Sequence, residues 1–438
     1  MVKRLNWAVY GMAWAALAVG AALTARAQES VADAPQPNLP VKIPALPDRL
    51  LDKPSQAPVA TIALGPLGFS PPSSIYLGQR FSFVSLDFLD DDRLLFTFRV
   101  PGLIHREAGE GEERQIRAVV LDLPSGAAQA EALWTVHDRQ RYVWMLPGGR
   151  FLLRDRENLE LGDASLELKP FLHFPGPLLG LEMDPEQKFL VTNSREATAH
   201  QPGEAVPAPV AKDGQKPENS SPIAVRILRR DSGEVMLVSR SRSAVRLPIN
   251  SEGYLEVLHT ESDRWLLRQN LYSGGNRILG QVESTCAPAY DFLSRRELLL
   301  TTCTLGGPGM LTAITTDGQQ LWEALTSDTS VWPLVVKSPD GLRMAREALA
   351  VTHPVTTSSP LSQDEIKGQL VEILDAANGR VVLETSASPI LDGGGNVAIS
   401  PSGRRVAVLS AGTIQLFELP APPSLPEASP LPASLSAH

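Results

Sequence analysis

The chain has 438 residues, of which 43% are apolar and 20% charged, and its formal net charge at pH 7 is −9. A chain this acidic repels nucleic acid and anionic lipid unless basic residues are concentrated in one patch. The arginines of residues 226–242 alternate with apolar residues, as on the solvent side of strands. We therefore expect no nucleic-acid partner, and enough apolar residues for a large core in one or two domains.

The first residues have the features of a secretory signal peptide in their usual order. Lys3 and Arg4 precede an apolar run over residues 7–23, and Ala25 and Ala27 place small side chains where signal peptidase selects them. We predict a signal peptide over residues 1–27, and hence a periplasmic or secreted protein. The alternative is a retained anchor, because the run approaches the ~18–20 residues that span a bilayer. Cleavage would leave no membrane span and, by removing Lys3, Arg4 and Arg26, would take the formal charge from −9 to −12.

Three segments are rich in Pro, Ala and polar residues. Such composition buries too little apolar surface to order a chain. We predict a linker over residues 28–57, a disordered insert over about 196–222 and a disordered tail over 420–438. The folded domain is then residues 58–419.

Within that domain, a hairpin recurs in which two short apolar strands flank a turn of Pro, Gly, Asp or Ser. It occurs seven times, at residues 88–96, 145–153, 183–191, 258–267, 292–300, 337–344 and 399–408. A second hairpin with Asp and Gly in its turn follows several of these, at residues 120–126, 228–235, 314–322 and 373–382. Two successive hairpins make a four-stranded antiparallel sheet, and its repetition predicts an all-β, seven-bladed β-propeller with about 45 residues per blade.

The last repeat, residues 396–419, contains only three strand-like runs. A ring of sheets needs its ends joined. We therefore predict that an N-terminal strand, near residues 59–64 or 75–83, completes the final blade.

The turn residues carry a resemblance to known families. Ser338-Pro339-Asp340-Gly341 and Ser400-Pro401-Ser402-Gly403-Arg404 resemble the inner turns of WD40-like and YVTN-type propeller repeats. Residues 313–322 and 374–382 resemble the outer turns of quinoprotein-type (PQQ-like) repeats. The Gly-His and Trp-Asp signatures of strict WD40 repeats are missing, as are the adjacent cysteines of quinoprotein alcohol dehydrogenases. The resemblance implies the fold, and it gives no reason to expect a quinone cofactor.

The two cysteines, Cys286 and Cys303, flank one predicted hairpin at equal distances from its turn. This spacing predicts a disulfide between neighbouring strands, since an exported chain meets an oxidising environment. The alternative is a pair of reactive thiols, but the Cys-x-x-Cys spacing of redox sites is absent.

Few residues form a recognisable site. Asp87, Asp90, Asp91 and Asp92 are the densest acidic cluster, but the Gly and closing Glu of a calcium loop do not follow, so we expect a solvated turn. The histidines show no ligand-pair spacing, and we expect no metal site; they are His105, His137, His173, His200, His259, His353 and His438. We interpret the glycine runs 306–309 and 393–395 as turns. We also expect the tryptophans, which include Trp134, Trp144, Trp265, Trp322 and Trp332, to pack between sheets rather than stack on a sugar.

The sequence thus favours an exported, monomeric, non-catalytic propeller that binds another protein or a small ligand and carries no cofactor. The alternative is an enzyme, either a hydrolase or lyase or a quinoprotein-like oxidoreductase, with acidic and histidine side chains from several blades in the central funnel. Convergence of titratable groups with shifted pKa values in a central cavity would favour the enzyme. A channel lined only by apolar and small residues would count against it.

Overall fold

A computed structural model of the chain describes residues 41–42, 45–46, 50–51, 53–71, 84–107, 111–137, 141–196, 222–304, 309–355, 361–391 and 394–423. The signal peptide predicted at 1–27, most of the predicted linker, nearly all of the insert and most of the tail lie outside these residues. The described part contains two three-residue 3₁₀ turns, at Gly65–Leu67 and Gln363–Glu365. None of its helices is long and apolar enough to cross a membrane.

Seven antiparallel sheets arranged in a ring confirm the predicted propeller. Two N-terminal strands, β1 (Val41–Lys42) and β2 (Ala60–Ala63), precede the blades. Blade 1 contains β3 (Val84–Asp90), β4 (Arg93–Glu107), β5 (Gly111–Asp122) and β6 (Ala128–Val136); blade 2 contains β7 (Val143–Leu146), β8 (Arg150–Asp155), β9 (Asn158–Gly162) and β10 (Lys169–His173); blade 3 contains β11 (Leu178–Met183), β12 (Phe189–Arg195), β13 (Ile223–Arg229) and β14 (Val235–Ser241). Blade 4 contains β15 (Gly253–Glu261), β16 (Arg264–Leu271) and β17 (Asn276–Glu283); blade 5 contains β18 (Ala289–Phe292), β19 (Glu297–Thr302), β20 (Met310–Thr315) and β21 (Gln320–Leu325); blade 6 contains β22 (Ser330–Lys337), β23 (Arg343–Val351), β24 (Ile366–Asp375) and β25 (Val381–Ala387); blade 7 contains β26 (Val397–Ile399), β27 (Arg405–Ser410) and β28 (Thr413–Glu418).

Strand position within a blade explains the sequence patterns. Second strands are covered on both faces by the neighbouring blades, so they contain runs such as Phe-Leu-Leu in β8 and Val-Ala-Val-Leu in β27, all buried. The outer strand β6 is partly solvated and alternates exposed with less exposed residues along much of its length. The seven predicted inner hairpins join the first and second strands, and the four predicted outer hairpins join the third and fourth. At one outer turn Gly318 has φ of +84°, and a Cβ there would lie 2.2 Å from the Leu279 carbonyl oxygen, so only glycine fits.

A separate cluster of buried apolar side chains fills the space between each pair of neighbouring blades. Each fully buried Leu or Phe contributes about 1.5–3 kcal/mol through the hydrophobic effect. Representative pairs, from junction 1–2 to junction 7–1, are Trp134 and Phe151, Leu152 and Leu190, Val191 and Ile249, Leu267 and Leu298, Trp322 and Met344, Ala345 and Val406, and Leu409 and Phe96. The apolar core is therefore a closed circle of seven interfaces.

The predicted N-terminal closure is confirmed at the first of its two candidate positions. Strand β2 pairs antiparallel with β28, from Ala60 opposite Leu416 to Ala63 opposite Thr413, and becomes the fourth strand of blade 7. Ile62 and Leu64 are buried in the cluster between blades 7 and 1. The other candidate, residues 75–83, lies outside the described residues.

The chain before β2 also contacts the blades, which its composition did not indicate. We call the described residues of 41–63 the N-terminal strap. Strand β1 pairs parallel with β21 on blade 5, and Leu46 is buried between blades 5 and 6. Leu50 packs over Gly368 on blade 6, and the Ser55 amide donates to the Glu384 carbonyl at 2.9 Å. The strap thus crosses the outer edges of blades 5, 6 and 7.

Candidate ligand-binding cavity in the central channel

A cavity of about 790 Å³ lies at the centre of the ring. Within the described residues, the first strands of five blades line it: Asp87 of β3, Trp144 and Met145 of β7, Gly180 to Met183 of β11, Ala289 to Asp291 of β18, and Pro333 to Lys337 of β22. The first strand of every blade faces the axis, so residues far apart in sequence meet in one space.

Charged side chains of alternating sign cross the cavity wall. Arg246, in the connection between blades 3 and 4, lies 3.6 Å from Glu182 of β11 and 2.9 Å from Asp291 of β18. On the other side of Asp291, the Lys337 ammonium of β22 donates at 2.7 Å to that carboxylate and at 2.7 Å to the Phe292 carbonyl. These four side chains form a row of three ion pairs that connects blades 3, 5 and 6.

A second group lies on blades 1 and 2. The Arg141 guanidinium is 3.6 Å from Asp87, which also accepts a hydrogen bond from the Ser85 hydroxyl. The guanidinium carbons of Arg141 and Arg154 each lie 5.5 Å from the Trp144 ring centroid. Cation–π attraction therefore fixes two arginines against one aromatic wall of the cavity.

Several carboxyl groups of the cavity have raised pKa values. Burial raises the pKa of Asp87, against the opposing effects of Arg141 and the Ser85 hydrogen bond. Burial likewise raises the pKa of Glu182, with Arg246 opposing it. Burial also raises the pKa of Asp184, although the backbone amides of residues 186, 188 and 189 donate to its carboxylate. Titratable groups from different blades therefore converge in one cavity, so the channel is not lined by apolar and small residues alone.

The lining of the cavity continues beyond the first strands between blades 5 and 6, and we call this part of it the crevice. Thr301, Leu311 and Thr326 line it on blade 5, and Arg346 lines it on blade 6. Arg346 is 2% exposed; its Nη1 donates to Glu372 at 2.7 Å and its Nη2 to the Ser330 hydroxyl at 3.0 Å.

The disulfide expected from the sequence borders this crevice. Cys286 and Cys303 are joined with their Cα atoms 5.6 Å apart, just before β18 and just after β19. The Cys303 amide donates to the Ser284 hydroxyl at 3.0 Å. The bond therefore ties the open end of the first hairpin of blade 5, and both cysteines line the cavity. Sequence spacing indicated the pair but not this location.

The acidic cluster at Asp87–Asp92 does not stay together. Asp87 faces the cavity, whereas Asp91 accepts hydrogen bonds from Ser402 and Asp92 from Arg405, both on blade 7. Asp90 pairs with Arg93 at 2.6 Å. Three of the four carboxylates thus belong to turns, and the inner turns of blades 7 and 1 are bonded to each other.

The four histidines whose side chains the structure describes lie apart from the cavity. His137 pairs with Asp155 at 2.9 Å, His173 bonds Asn158, His259 bonds the Ser262 carbonyl, and His353 lies 3.4 Å from Glu365. His200 and His438 lie outside the described residues, and His105 is described by its backbone alone. Over the ranges that the structure describes, no three His, Cys, Asp or Glu side chains could share a metal ion.

The tryptophans divide between core and cavity. Trp134 and Trp322 are buried between blades, and the Trp322 indole donates to the Ala376 carbonyl at 2.7 Å. Trp265 packs on His259, with ring centroids 4.6 Å apart, and the side chain of Trp332 lies outside the described part. Trp144 is buried in the cluster between blades 2 and 3, as expected, and it also lines the cavity.

Sequence reasoning also missed Glu182, Arg246, Asp291, Lys337 and Arg346. A signal was present for three of these residues. Glu182, Asp291 and Lys337 each stand one or two residues before an inner turn, at the end of a first strand. Aligning the seven repeats on their inner turns would have placed these charges on the channel wall.

No protein-family model matches the chain, and no curated protein sequence matches it significantly. Among solved structures, the chain is similar to the acylaminoacyl peptidase of Pyrococcus horikoshii, with a TM-score of 0.44 and 10% identity over 78% of this chain and 52% of the peptidase. It is also similar to the β-propeller domain of the Trilobed protease from Pyrococcus furiosus, with a TM-score of 0.38 and 12% identity over 77% of this chain and 96% of that domain. The match thus spans about half the length of the peptidase. Likenesses this weak assign no function to the chain. The ring of seven sheets itself shows a β-propeller repeat protein, and a WD40-like or quinoprotein-type assignment stays a prediction.

Proposed function

We propose that this chain is an exported, non-catalytic binding module that holds its ligand in the central cavity. The observation that carries the proposal is a cavity of about 790 Å³ lined by charged side chains from several blades. Ligand pockets typically have volumes of about 300–1,000 Å³. A small molecule or a short segment of a protein would fit, so the partner chemistry is that of a polar ligand.

Export is part of the proposal. The order of charged, apolar and small residues over 1–27 supports it, and so does the disulfide between Cys286 and Cys303, because disulfides persist in oxidising compartments. Alkylation of the unreduced, exported protein should add no mass. Labelling of either cysteine would contradict a structural disulfide.

Two of the cavity carboxylates are held by ion pairs or backbone hydrogen bonds, and this supports binding over catalysis. Asp291 is held by Arg246 and Lys337. Asp184 accepts hydrogen bonds from three backbone amides at 2.6–3.2 Å. Groups held in this way position a ligand well, whereas a nucleophile or base must be able to reach a reacting atom.

One observation favours the enzyme as a second candidate. Burial raises the pKa of Asp87 and Glu182, and a raised pKa is a feature of carboxyl groups that serve as general acids in hydrolases or lyases. Glu182→Gln would then abolish turnover of a substrate that still binds. In a binding module the same substitution changes affinity alone.

A cavity-filling variant tests the proposal. Ala289 lines the cavity and its side chain is exposed, so Ala289→Trp should fill ligand space without disturbing the core. Ala127→Trp, at an exposed outer turn of blade 1, is the matched control. The measurement is thermal unfolding with a panel of sugars, organic acids and short peptides. A ligand at 100 times its Kd stabilises the folded state by about 2.7 kcal/mol.

We expect at least one compound to stabilise the wild type and Ala127→Trp but not Ala289→Trp. Equal stabilisation of all three proteins would place binding elsewhere and contradict the proposal.

A further inference from the structure

Two arginines on β23 allow a direct comparison. Arg343 is fully buried, and all three of its nitrogens donate: Nε to Asp375 at 3.1 Å, Nη1 to the Gly403 carbonyl at 2.9 Å and Nη2 to the Pro420 carbonyl at 2.7 Å. Arg346 is buried to almost the same degree, yet its Nε–H has no acceptor among the described residues. An unsatisfied buried donor is costly, and native structures seldom leave one without a reason.

The location of Arg346 gives a reason. Its side chain lines the crevice of the central cavity, whereas its Nη1 and Nη2 bond to Glu372 and Ser330 within blade 6. Thr301 and Thr326 line the same crevice with hydroxyl-bearing side chains. A ligand in the crevice would therefore lie beside a buried guanidinium that has one unpaired N–H and beside two threonine side chains, and N–H and O–H groups can donate to an oxygen.

The charges around the cavity indicate the sign of the ligand. Five cationic side chains line it, namely Arg141, Arg154, Arg246, Lys337 and Arg346, against four carboxyl groups, Asp87, Glu182, Asp184 and Asp291. Glu372, behind Arg346, is a fifth carboxylate. Burial raises the pKa of three of these acids, Asp87, Glu182 and Asp184, because it disfavours their charged forms. Cationic side chains are thus at least as numerous as acids around the cavity, whereas the chain as a whole has a net charge of −9.

We propose that the ligand of the central cavity carries a carboxylate, and that this group occupies the crevice between blades 5 and 6 and accepts a hydrogen bond from the Arg346 Nε–H. The inference rests on the proposed function. The carboxylate could belong to a small organic acid or to the C-terminus of a peptide, since both present the same acceptor oxygens.

Matched pairs of acids and amides test the proposal. The probes are succinate with succinamide, and the peptide acetyl-Leu-Ala-Ala as free acid with its C-terminal amide. Binding to the full chain is measured by isothermal titration. We expect the acid of at least one pair to bind about tenfold or more tightly than its amide, which corresponds to about 1.4 kcal/mol. The pair that shows the preference identifies the source of the carboxylate.

Variants of Arg346 test whether this residue causes the preference for the acid over the amide. Arg346→Lys keeps the positive charge beside Glu372 but lacks the guanidinium donors, so the preference for the acid should fall about tenfold. The double variant Arg346→Gln/Glu372→Gln keeps the pair neutral, which protects folding, and should lose the preference. Arg404→Gln, at an exposed turn, should keep it. Near-ultraviolet circular dichroism checks that each variant is folded.

The possible failures are distinguishable. If acids and amides bind equally and Ala289→Trp blocks both, the cavity binds ligands but the carboxylate inference is wrong. If Arg346→Lys and the double variant still bind an acid more tightly than its amide, to the same degree as the wild type, the carboxylate is not bound by Arg346 and the inference is wrong. If none of the four probes binds, the inference is overturned, while the wider panel still tests the binding module.

Discussion

The two sides of the ring are built differently. Around blades 5, 6 and 7, the N-terminal strap supplies β1 beside β21, Leu46 between blades and β2 beside β28. At blade 4 the sheet ends at β17, the third strand, within the part of the chain that the structure describes. Ile278 on β17 is 53% exposed, and Val238 on the outer strand of blade 3 is 55% exposed.

This difference shows which contacts hold a propeller together. Among the described residues, blade 4 has three strands, and it packs on both neighbours through Val191 and Ile249 on one side and Leu267 and Leu298 on the other. The junction of blades 7 and 1, by contrast, includes Ile62 from the strap and Leu64 directly after it. Ring closure therefore depends on a segment remote in sequence, whereas blade 4 packs on its neighbours through adjacent parts of the chain.

The largest expected effect is at the closure. Deletion of residues 57–64 removes β2 and two buried side chains of the junction, so we expect the sharp thermal transition of the wild type to be lost. Scanning calorimetry measures this. Ile62→Asp should be severely destabilising, because it buries a charge in an apolar cluster, whereas Val59→Asp, at a position that is 57% exposed, should resemble the wild type. A sharp melt after the deletion would contradict closure by the strap.

A smaller effect is expected at the buried Arg343, which joins blade 6 to the inner turn of blade 7. Arg343→Leu leaves Asp375 buried without this cation and should lower the free energy of unfolding by about 3–5 kcal/mol in denaturant titrations. Arg343→Leu/Asp375→Leu should recover much of the loss. Arg404→Leu, at an exposed position of the same turn region, should change stability by less than about 0.5 kcal/mol.

The third prediction concerns pH. Glu347 on β23 is 1% exposed, and burial raises the pKa of its carboxyl group from 4.5 to about 8. Between these two pH values, the Glu347 carboxyl group is ionised in the unfolded chain but keeps its proton in the folded chain. The free energy of unfolding therefore falls as the pH rises. Glu347→Gln cannot titrate and preserves an acceptor for the Gln369 amide, which donates to Glu347 at 2.9 Å.

Relative to the wild type, Glu347→Gln should therefore gain up to about 1.4 kcal/mol per pH unit between roughly pH 5 and pH 8. Urea unfolding at several pH values measures the gain. Parallel pH profiles for the two proteins would show that the buried acid does not set this dependence.

The smallest effect is expected at the exposed edge of blade 4. Ile278→Asp introduces a charge on the exposed edge of blade 4 and should change the free energy of unfolding by less than about 0.5 kcal/mol. Leu279→Asp, at the neighbouring buried position, is the matched comparison and should destabilise strongly. A large effect of Ile278→Asp would mean that another segment covers this edge.

The sequence by itself determined the repeating unit. Turn residues such as Asp317-Gly318 and Ser400-Pro401 act locally, and the apolar runs beside them have strand character, so seven inner hairpins and the need for a closing strand could be predicted. The spacing of Cys286 and Cys303 about one turn indicated their pairing for the same reason. These are interactions among residues close in the chain.

Only the tertiary structure decided the cavity and the path of the strap. Glu182, Asp291 and Lys337 are far apart in sequence and meet because each ends a first strand at the axis of the ring. Arg343 and Arg346 are the same residue type on one strand, but their side chains face opposite neighbouring blades. Of the two, only Arg346 has a donor without an acceptor among the described residues. A short sequence specifies its strand and turn, whereas the partners of a side chain depend on where the ring places the other blades.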